Sequence, residues 1–432
     1  MAQGSLGESP ISLSDGERFN WLRLLHCENI GPRTFRLLLD RHGSAEAALL
    51  ALPELIASGK AGRPIRIASI EETEREIEAT LKLGGRFIAI CEPDYPALLR
   101  WTASAPPLIA VRGNVLSLKR SKIAIIGARN ASAAGLALAA QLSRGIGRAG
   151  HVIVSGLARG IDGRAHQSAI ETGTIAVVAG GLGNIYPAEH KALLDRIVEQ
   201  GAAVSEMPVG WEARGRDFPR RNRIVAGLSR AVVVIEAARR SGSLITARFA
   251  AEQGREIFAC PGSPLDPRAE GANQLLRDGA SFCTCAEDVI EAMAKEEPLA
   301  KEASRGFFES DAWAGFDGPL WDETDLSGVT GLAPTSAAPE FEAARVGGNT
   351  RPAGSGGPRL PGDVEAGQPP PDVAARIAEL LGPAPVSVDE LARLAEAPAR
   401  QVRTILIELE LAGKVEWRGG DLVSSLPDDS LE

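Results

Sequence analysis

AVVVIEAARRSGSLITARFAAEQGREIFACPG, Ala231 to Gly262, sets the architecture of this chain. An apolar run interrupted only at Glu236 (Ala231–Ala237) leads to a Gly/Ser turn at Ser241-Gly242-Ser243. A helical pattern over Leu244–Gln253 follows, then a second apolar run, Glu256–Gly262. Strands that are continuously apolar, rather than alternating, are buried on both faces. Such strands joined through helices call for a parallel sheet with right-handed crossovers. The pattern recurs upstream. KIAIIG (Lys122–Gly127), HVIVSG (His151–Gly156), TIAVVAG (Thr174–Gly180) and AAVSE (Ala202–Glu206) read as strands, with helical patterns over Ala133–Ala149 and Glu189–Gln200. The predicted core is α/β, a doubly wound, mostly parallel sheet spanning residues 84–294.

The flanks read differently. After an N-terminus expected to be disordered (1–16), residues 17–83 carry apolar residues at helical spacing, broken at Gly31-Pro32 and Gly43. Asn29-Ile30-Gly31-Pro32 between two helices resembles a helix-hairpin-helix turn, whose backbone N–H groups can face a phosphate. A plain turn between packed helices is the alternative. Residues 295–371 are rich in Pro, Gly and acids and read as a flexible linker. Residues 372–426 read as three helices and a hairpin around Gly419-Gly420, a winged-helix pattern, with Ser387 and Glu390 spaced as a capping box. A short tail, 427–432, follows. The last helix of that module offers Arg400, Gln401 and Arg403 but also Glu408 and Glu410, so a protein contact suits it as well as DNA.

At 432 residues the chain exceeds one ordinary domain. Its five cysteines do not make a disulfide framework, and Cys283-x-Cys285 lacks a second pair for zinc. The N-terminus has no signal-peptide pattern, and no apolar run is long enough to span a bilayer. A cytoplasmic protein that makes no membrane contact is expected. Net charge is −9, but it is unevenly placed. Lys119–Cys285 holds 22 Lys and Arg against 14 Asp and Glu, a surplus of eight, so the remainder carries −17. Nineteen of those 22 cations are arginine, whose planar fork suits phosphate and carboxylate.

In an open parallel sheet, ligands bind beyond the carboxyl ends of the strands. The segments that follow these strands are Gly127-Ala128-Arg129-Asn130, Ser155 through Asp162, Gly180 through Pro187, the stretch DFPRRNR (Asp217–Arg223), Arg239 through Thr246 and Pro261-Gly262-Ser263. Gly, Ser and Arg gathered at one edge describe a phosphate-binding rim. No G-x-G-x-x-G follows the first strand and no P-loop is present, so a dinucleotide or P-loop site is excluded. Several phosphates in a row, as in a single-stranded nucleic acid, fit better. Aromatics are sparse, with Tyr186, Trp211 and Phe218 in rim loops.

SGLARGIDGRAH (Ser155–His166), GGLGNIYP (Gly180–Pro187), FPRRNRIVAGLS (Phe218–Ser229), SGSLITARFAAEQGREIFACPG (Ser241–Gly262) and GANQLLRDGA (Gly271–Ala280) resemble the DNA processing protein A (DprA/Smf) family. The resemblance spans the whole core. It implies an extended Rossmann-like domain that binds single-stranded DNA without known catalysis and needs no cofactor. It also implies a homodimer through that domain and delivery of RecA recombinase onto incoming strands in natural transformation. By motif it places phosphate contacts at Arg129, Lys191, Arg221, Asn222 and Arg223, and the rim reading adds Gly127, Ser155, Gly156, Ser241, Gly242 and Ser243. Ala128 stands where the family more often has serine. The alternative role for the arginines of 217–223 is ion pairing with Glu206, Glu212, Asp217 and Glu236.

Other chemistries find less support. Asp162 and His166 share a helix face, which suits a metal, but a hydrogen bond holding the loop to its helix suits it better. Ser155, Ser241 and Ser243 lie in no nucleophile motif, so phosphate hydrogen bonding or helix capping is the better assignment. SGSLITARF resembles the P-G-G-x-G-T-x-x-E signature of cytokinin-activating nucleoside-phosphate hydrolases, yet Phe249 stands where their glutamate would be. A nucleotide hydrolase remains the alternative, and a regulator acting through the winged helix is a third reading.

Overall fold

The computed structural model describes residues 12–57, 65–295, 373–411, 414–417 and 421–426. Four helices open the chain: α1 (Asp15–Leu25), α2 (Pro32–His42), α3 (Ala45–Ala57) and α4 (Ile70–Lys82). Helix α1 begins two residues before the expected boundary because Ser14 and Glu17 form a reciprocal capping box around its first turn. Leu24, Phe35, Leu38, Ala48 and Leu52 close a separate small core between these helices.

Then follow β1 (Gly85–Ala89), α5 (Ala97–Arg100), β2 (Leu108–Gly113), β3 (Lys122–Gly127), α6 (Ala133–Arg148), β4 (Val152–Ser155), α7 (Ile161–Ala169) and β5 (Thr174–Val177). The core continues through α8 (Lys191–Gln200), β6 (Ala202–Ser205), α9 (Asp217–Leu228), β7 (Ala231–Ile235), α10 (Gly242–Glu252), β8 (Glu256–Ala259), α11 (Glu270–Arg277), β9 (Ser281–Phe282) and α12 (Ala286–Lys295). All six predicted strands are present, as are the helices between them. One nine-stranded sheet results, in the order β1-β2-β6-β5-β4-β3-β7-β8-β9. From β6 through β9 every pairing is parallel, while β1 and β2 extend the sheet antiparallel beyond β6.

Both faces of the sheet are covered, which is why its strands are apolar throughout. Ile123, Ile125, Ile153 and Val233 pack under α6, α7 and α12. Ala124, Ile126, Val154, Val232 and Val234 pack under α9 and α10. Strand order reverses at β3, which lies between β4 and β7, so the crevice at that switch point is where a ligand is expected.

The C-terminal module comprises α13 (Val373–Leu380), β10 (Val386–Ser387), α14 (Val388–Ala395), α15 (Ala399–Leu411), β11 (Val415–Trp417) and β12 (Leu422–Ser425). It is the predicted winged helix with a third, two-residue strand. Ser387 caps α14 as expected, but the Glu390 carboxylate turns to Arg393 and does not complete a capping box. The module packs on the core: Ala133 joins its apolar cluster, and Arg268 donates to the carbonyls of Glu379 and Leu381. The linker, apart from Lys295, lies outside the described residues, as do the Gly419-Gly420 turn and both chain ends. Among the described residues no helix is long and apolar enough to cross a membrane.

Ile125 is fully buried at the centre of the sheet. Its replacement by alanine should cost about 2–5 kcal/mol, read calorimetrically as a lower midpoint for the sheet's unfolding transition.

Candidate nucleic-acid interface

The arginine-rich stretch forms the first two turns of α9, and the structure turns most of its charge inward. Arg223 is 1% exposed. Its guanidinium donates to the Glu206 carboxylate and to the Ser104 carbonyl. Arg220 reaches the other Glu206 oxygen at 2.9 Å. Arg221 is 5% exposed and donates to the carbonyls of Gly156 and Val177, at the ends of β4 and β5. Burial pulls its guanidinium down to about 10, against the opposing pull of Asp162. Burial also lowers Arg223, with Glu206 opposing. Asn222 accepts from Arg221 Nε at 3.1 Å and donates to the Gly242 carbonyl at 3.2 Å, tying α9 to the start of α10.

The expectation that Arg221 and Arg223 face phosphates is therefore corrected. Both lie in the interior, where carbonyls and a carboxylate replace their water. The ion-pair alternative holds for Arg223, with Glu206 as partner.

Several loop residues are likewise committed. Ser155 is fully buried and donates to the Ile125 carbonyl at 2.6 Å. Gly156 is buried and its N–H donates to Asp162 Oδ2 at 3.1 Å. Neither presents a donor to solvent, which corrects their assignment to the DNA contact. A Cβ at position 156 would overlap the Arg221 guanidinium, so this glycine is required by the arginine. Gly160, at φ +71°, lies against the Ala128 and Arg129 carbonyls and lets the first two rim loops touch. Ser241 caps α10 by accepting from the Ser243 N–H, and Ser243 donates to the Gly127 carbonyl at 2.8 Å. The structure thus brings Gly127, Asn222, Gly242 and Ser243 together.

The Asp162 carboxylate accepts from the Gly156 and Ala158 N–H groups and holds its loop, the reading preferred from sequence. Burial raises its pKa, with Arg221 opposing. His166 does not approach it as a co-ligand. Its Nδ1 lies 2.8 Å from Thr174 Oγ1, whose own proton goes to the Ile153 carbonyl. His166 therefore donates from Nδ1 as a neutral imidazole. Among the described residues no group of three or more His, Cys, Asp or Glu is placed to hold a metal.

What remains exposed is Arg129, on the loop after β3, and Lys191, which lies 3.4 Å from Asp195 at the start of α8. Arg129 lies over the Phe218 ring, 5.1 Å from its centroid. Tyr186 meets the same ring edge-on at 5.5 Å and is 55% exposed. Segments as far as 89 residues apart in sequence, from Arg129 to Phe218, thus form one patch of a cation and two aromatic rings beside the switch point. Sequence reasoning had these aromatics in rim loops but no sign that they meet.

Glu236, offered from sequence as an ion-pair partner for the arginines, engages the start of α6 instead. Held at φ +48° after β7, this residue accepts from the Ser132 N–H at 2.8 Å and from the Ser132 hydroxyl. Its carboxylate fills the space beside Gly135 at the start of α6. A Rossmann-type phosphate would occupy that helix start.

Comparison with known proteins agrees with this architecture. Residues 86–294 match the family described as DNA recombination-mediator protein A. Residues 15–79 match a DprA-like N-terminal HHH domain, and residues 361–421 a DprA winged helix domain. The DNA processing protein DprA of Bacillus subtilis is 41% identical over 220 residues, half of this chain and 74% of the relative. Protein Smf of Synechocystis is 30% identical over 352 residues, covering 76% of this chain and 85% of the relative. Among solved structures, DNA processing protein A from Streptococcus pneumoniae superposes with a TM-score of 0.49 at 38% identity, over 52% of this chain and 77% of that one.

Two outcomes follow from the buried charges. Glu206→Gln leaves Arg223 without its carboxylate and should destabilise the core by about 3–5 kcal/mol, seen as a lower thermal midpoint. Burial depresses His166 to about 3. Below about 6.5 the unfolded chain takes up a proton that the folded imidazole refuses. This contribution is complete above that pH and lost as pH falls toward 3. Midpoints measured from pH 7 to pH 4 should fall less steeply in His166→Gln.

Proposed function

This chain belongs to the DNA recombination-mediator protein A family, and we propose that its sheet edge binds single-stranded DNA. The observation that carries the reading is the Arg129–Phe218–Tyr186 patch at the switch point. An exposed guanidinium offers a fork to a phosphate, while an exposed tyrosine beside it offers a face to a base. A duplex keeps its bases stacked inside, so only an unpaired strand uses both. In this reading Lys191 and the start of α10 at Gly242 would serve the neighbouring phosphates, with Ser241 and Ser243 holding that helix start. Arg221 and Asn222 support the patch from beneath, through Gly156 and Gly242, while Arg223 holds Glu206 and the Ser104 carbonyl.

A binding role is favoured over nucleotide hydrolysis for two reasons. Phe249, at the place of the hydrolase glutamate, is buried in the core. Glu236 already engages the start of α6, where a nucleotide phosphate would sit.

Within the family resemblance, the strand so held is one onto which RecA recombinase is loaded during natural transformation. A homodimer through the core belongs to the same proposal. Leu265, 68% exposed, and Phe282, 59% exposed on the edge strand β9, supply apolar surface for it.

Fluorescence anisotropy with a labelled single strand and its duplex tests the reading. Single-strand preference is expected, with a log–log salt slope of about −0.7 per phosphate contacted. Arg129→Ala should weaken single-strand binding about tenfold or more, as for a lost charged hydrogen bond of about 1.5–3 kcal/mol, without lowering the thermal midpoint. Equal affinity for duplex and single strand, or an unaffected Arg129→Ala, would remove the reading.

A further inference from the structure

A cavity of about 1060 Å³ lies between the N-terminal hairpin and the segment leading into α9. That exceeds the ~300–1,000 Å³ of an ordinary small-molecule site. One wall is the hairpin Asn29-Ile30-Gly31-Pro32, and the facing wall carries Trp211, Arg214 and Arg216.

The acids that line the cavity are engaged by the protein itself. Glu206 is taken by Arg220 and Arg223. Asp217 accepts from Trp211 Nε1 at 2.9 Å and from the Arg214 N–H at 2.8 Å. Glu76 accepts from the Val209 N–H at 2.7 Å, and Glu72 from the Ser69 N–H at 2.9 Å and from Arg66. Glu28 lies 3.5 Å from Arg66.

Arg214 and Arg216 are exposed, and Arg214 lies over the Trp211 ring at 4.9 Å. A cation over an aromatic ring thus occurs twice along one segment, at Trp211 facing the cavity and at Phe218 facing the rim. The lining combines apolar residues with guanidinium groups, the two kinds of surface that bases and phosphates use.

We propose that this cavity is a second strand site. Single-stranded nucleic acid leaving the rim passes Arg214 and Arg216 and places further nucleotides between the hairpin and α9. The assignment rests on the rim reading and lengthens its footprint. Trp211 supplies a stacking face, anchored by Asp217, and the two arginines take phosphates.

The test compares a hexanucleotide with a 20-nucleotide strand, using the full chain. Arg214→Ala/Arg216→Ala should leave hexanucleotide affinity within about twofold. It should lower affinity for the longer strand at least fivefold, with a salt slope shallower by about 1.4, two phosphates' worth. Arg129→Ala, measured in parallel, should weaken both lengths. Photocrosslinking of 20-mers carrying one 5-iodouracil should reach Trp211 from positions distinct from those that reach Tyr186.

Equal losses at both lengths would assign the two arginines to the rim and overturn the second site. So would no loss at either length together with an uncrosslinked Trp211, an outcome that would leave the cavity to a protein segment. Failure of Arg129→Ala to affect even the hexanucleotide would instead overturn the rim reading.

Discussion

Two guanidinium groups are buried beneath α9, and the carboxyl edge of the sheet is organised around them. Removing an arginine from water costs several kcal/mol, offset only where good acceptors surround it. The acceptors here are strand ends. Gly156 and Val177 give their carbonyls to Arg221, and Glu206, one residue beyond β6, gives its carboxylate to Arg223. Backbone carbonyls that leave a sheet edge need partners when buried. The arginines supply them and in return are neutralised or solvated by dipoles. One short helix thereby joins the ends of β4, β5 and β6, and through Asn222 the start of α10.

That arrangement sorts the basic charge of the core into two populations. Arg221 and Arg223 are spent inside, so they contribute little to a field at the surface. Arg129 after β3, Arg214 and Arg216 after β6, and Lys191 at the start of α8 are exposed at the same edge. The acidic flanks keep the whole chain negative while this edge stays locally basic. Tyr186, Trp211 and, at the start of α9, Phe218 lie beside those residues, so a composition poor in aromatics still yields ring faces where the exposed cations are. Local placement, not abundance, makes the patch.

The parallel strands were legible because burial on both faces leaves an unbroken apolar run, a signal contained within six residues. Strands β1 and β2 were not. They pair antiparallel with α5 between them, so no tight turn marks a hairpin, and Arg86 and Phe87 keep β1 partly exposed. The position of the candidate site was legible too, since the segments after parallel strands must share one edge. The direction of each side chain was not. Glu206 was legible as an ion-pair partner, but nothing in the run Arg220–Arg223 says that Arg223 will turn inward to it while Arg221 turns to the carbonyls of Gly156 and Val177. Glu236 meets Ser132 across 104 residues, a pairing that exists only once β3 and β7 are adjacent. Sequence position reports which residues reach the edge. Burial and partner choice then decide which remain available there.

The flanking modules are tied to this edge by the same kind of bond, an arginine to carbonyls. Arg36 of α2 donates to Ala103 and Ala105, beside the Ser104 carbonyl that receives Arg223. Arg18 pairs with Glu92 at 2.6 Å, and Glu76 of α4 holds the Val209 N–H, two residues before Trp211. The distance between the hairpin and the Trp211 segment is therefore set by contacts on both sides of it. On the opposite flank Arg268 fastens the end of α13, while Ala133, next to the Ser132 that Glu236 holds, enters the winged-helix core. The Arg129 loop thus lies between β3 and a helix start that two other parts of the chain immobilise. An exposed arginine on such a loop loses less freedom on contacting a phosphate than one on an untethered segment. In the proposed reading this suits Arg129, more than the buried Arg221 and Arg223, to contact a phosphate.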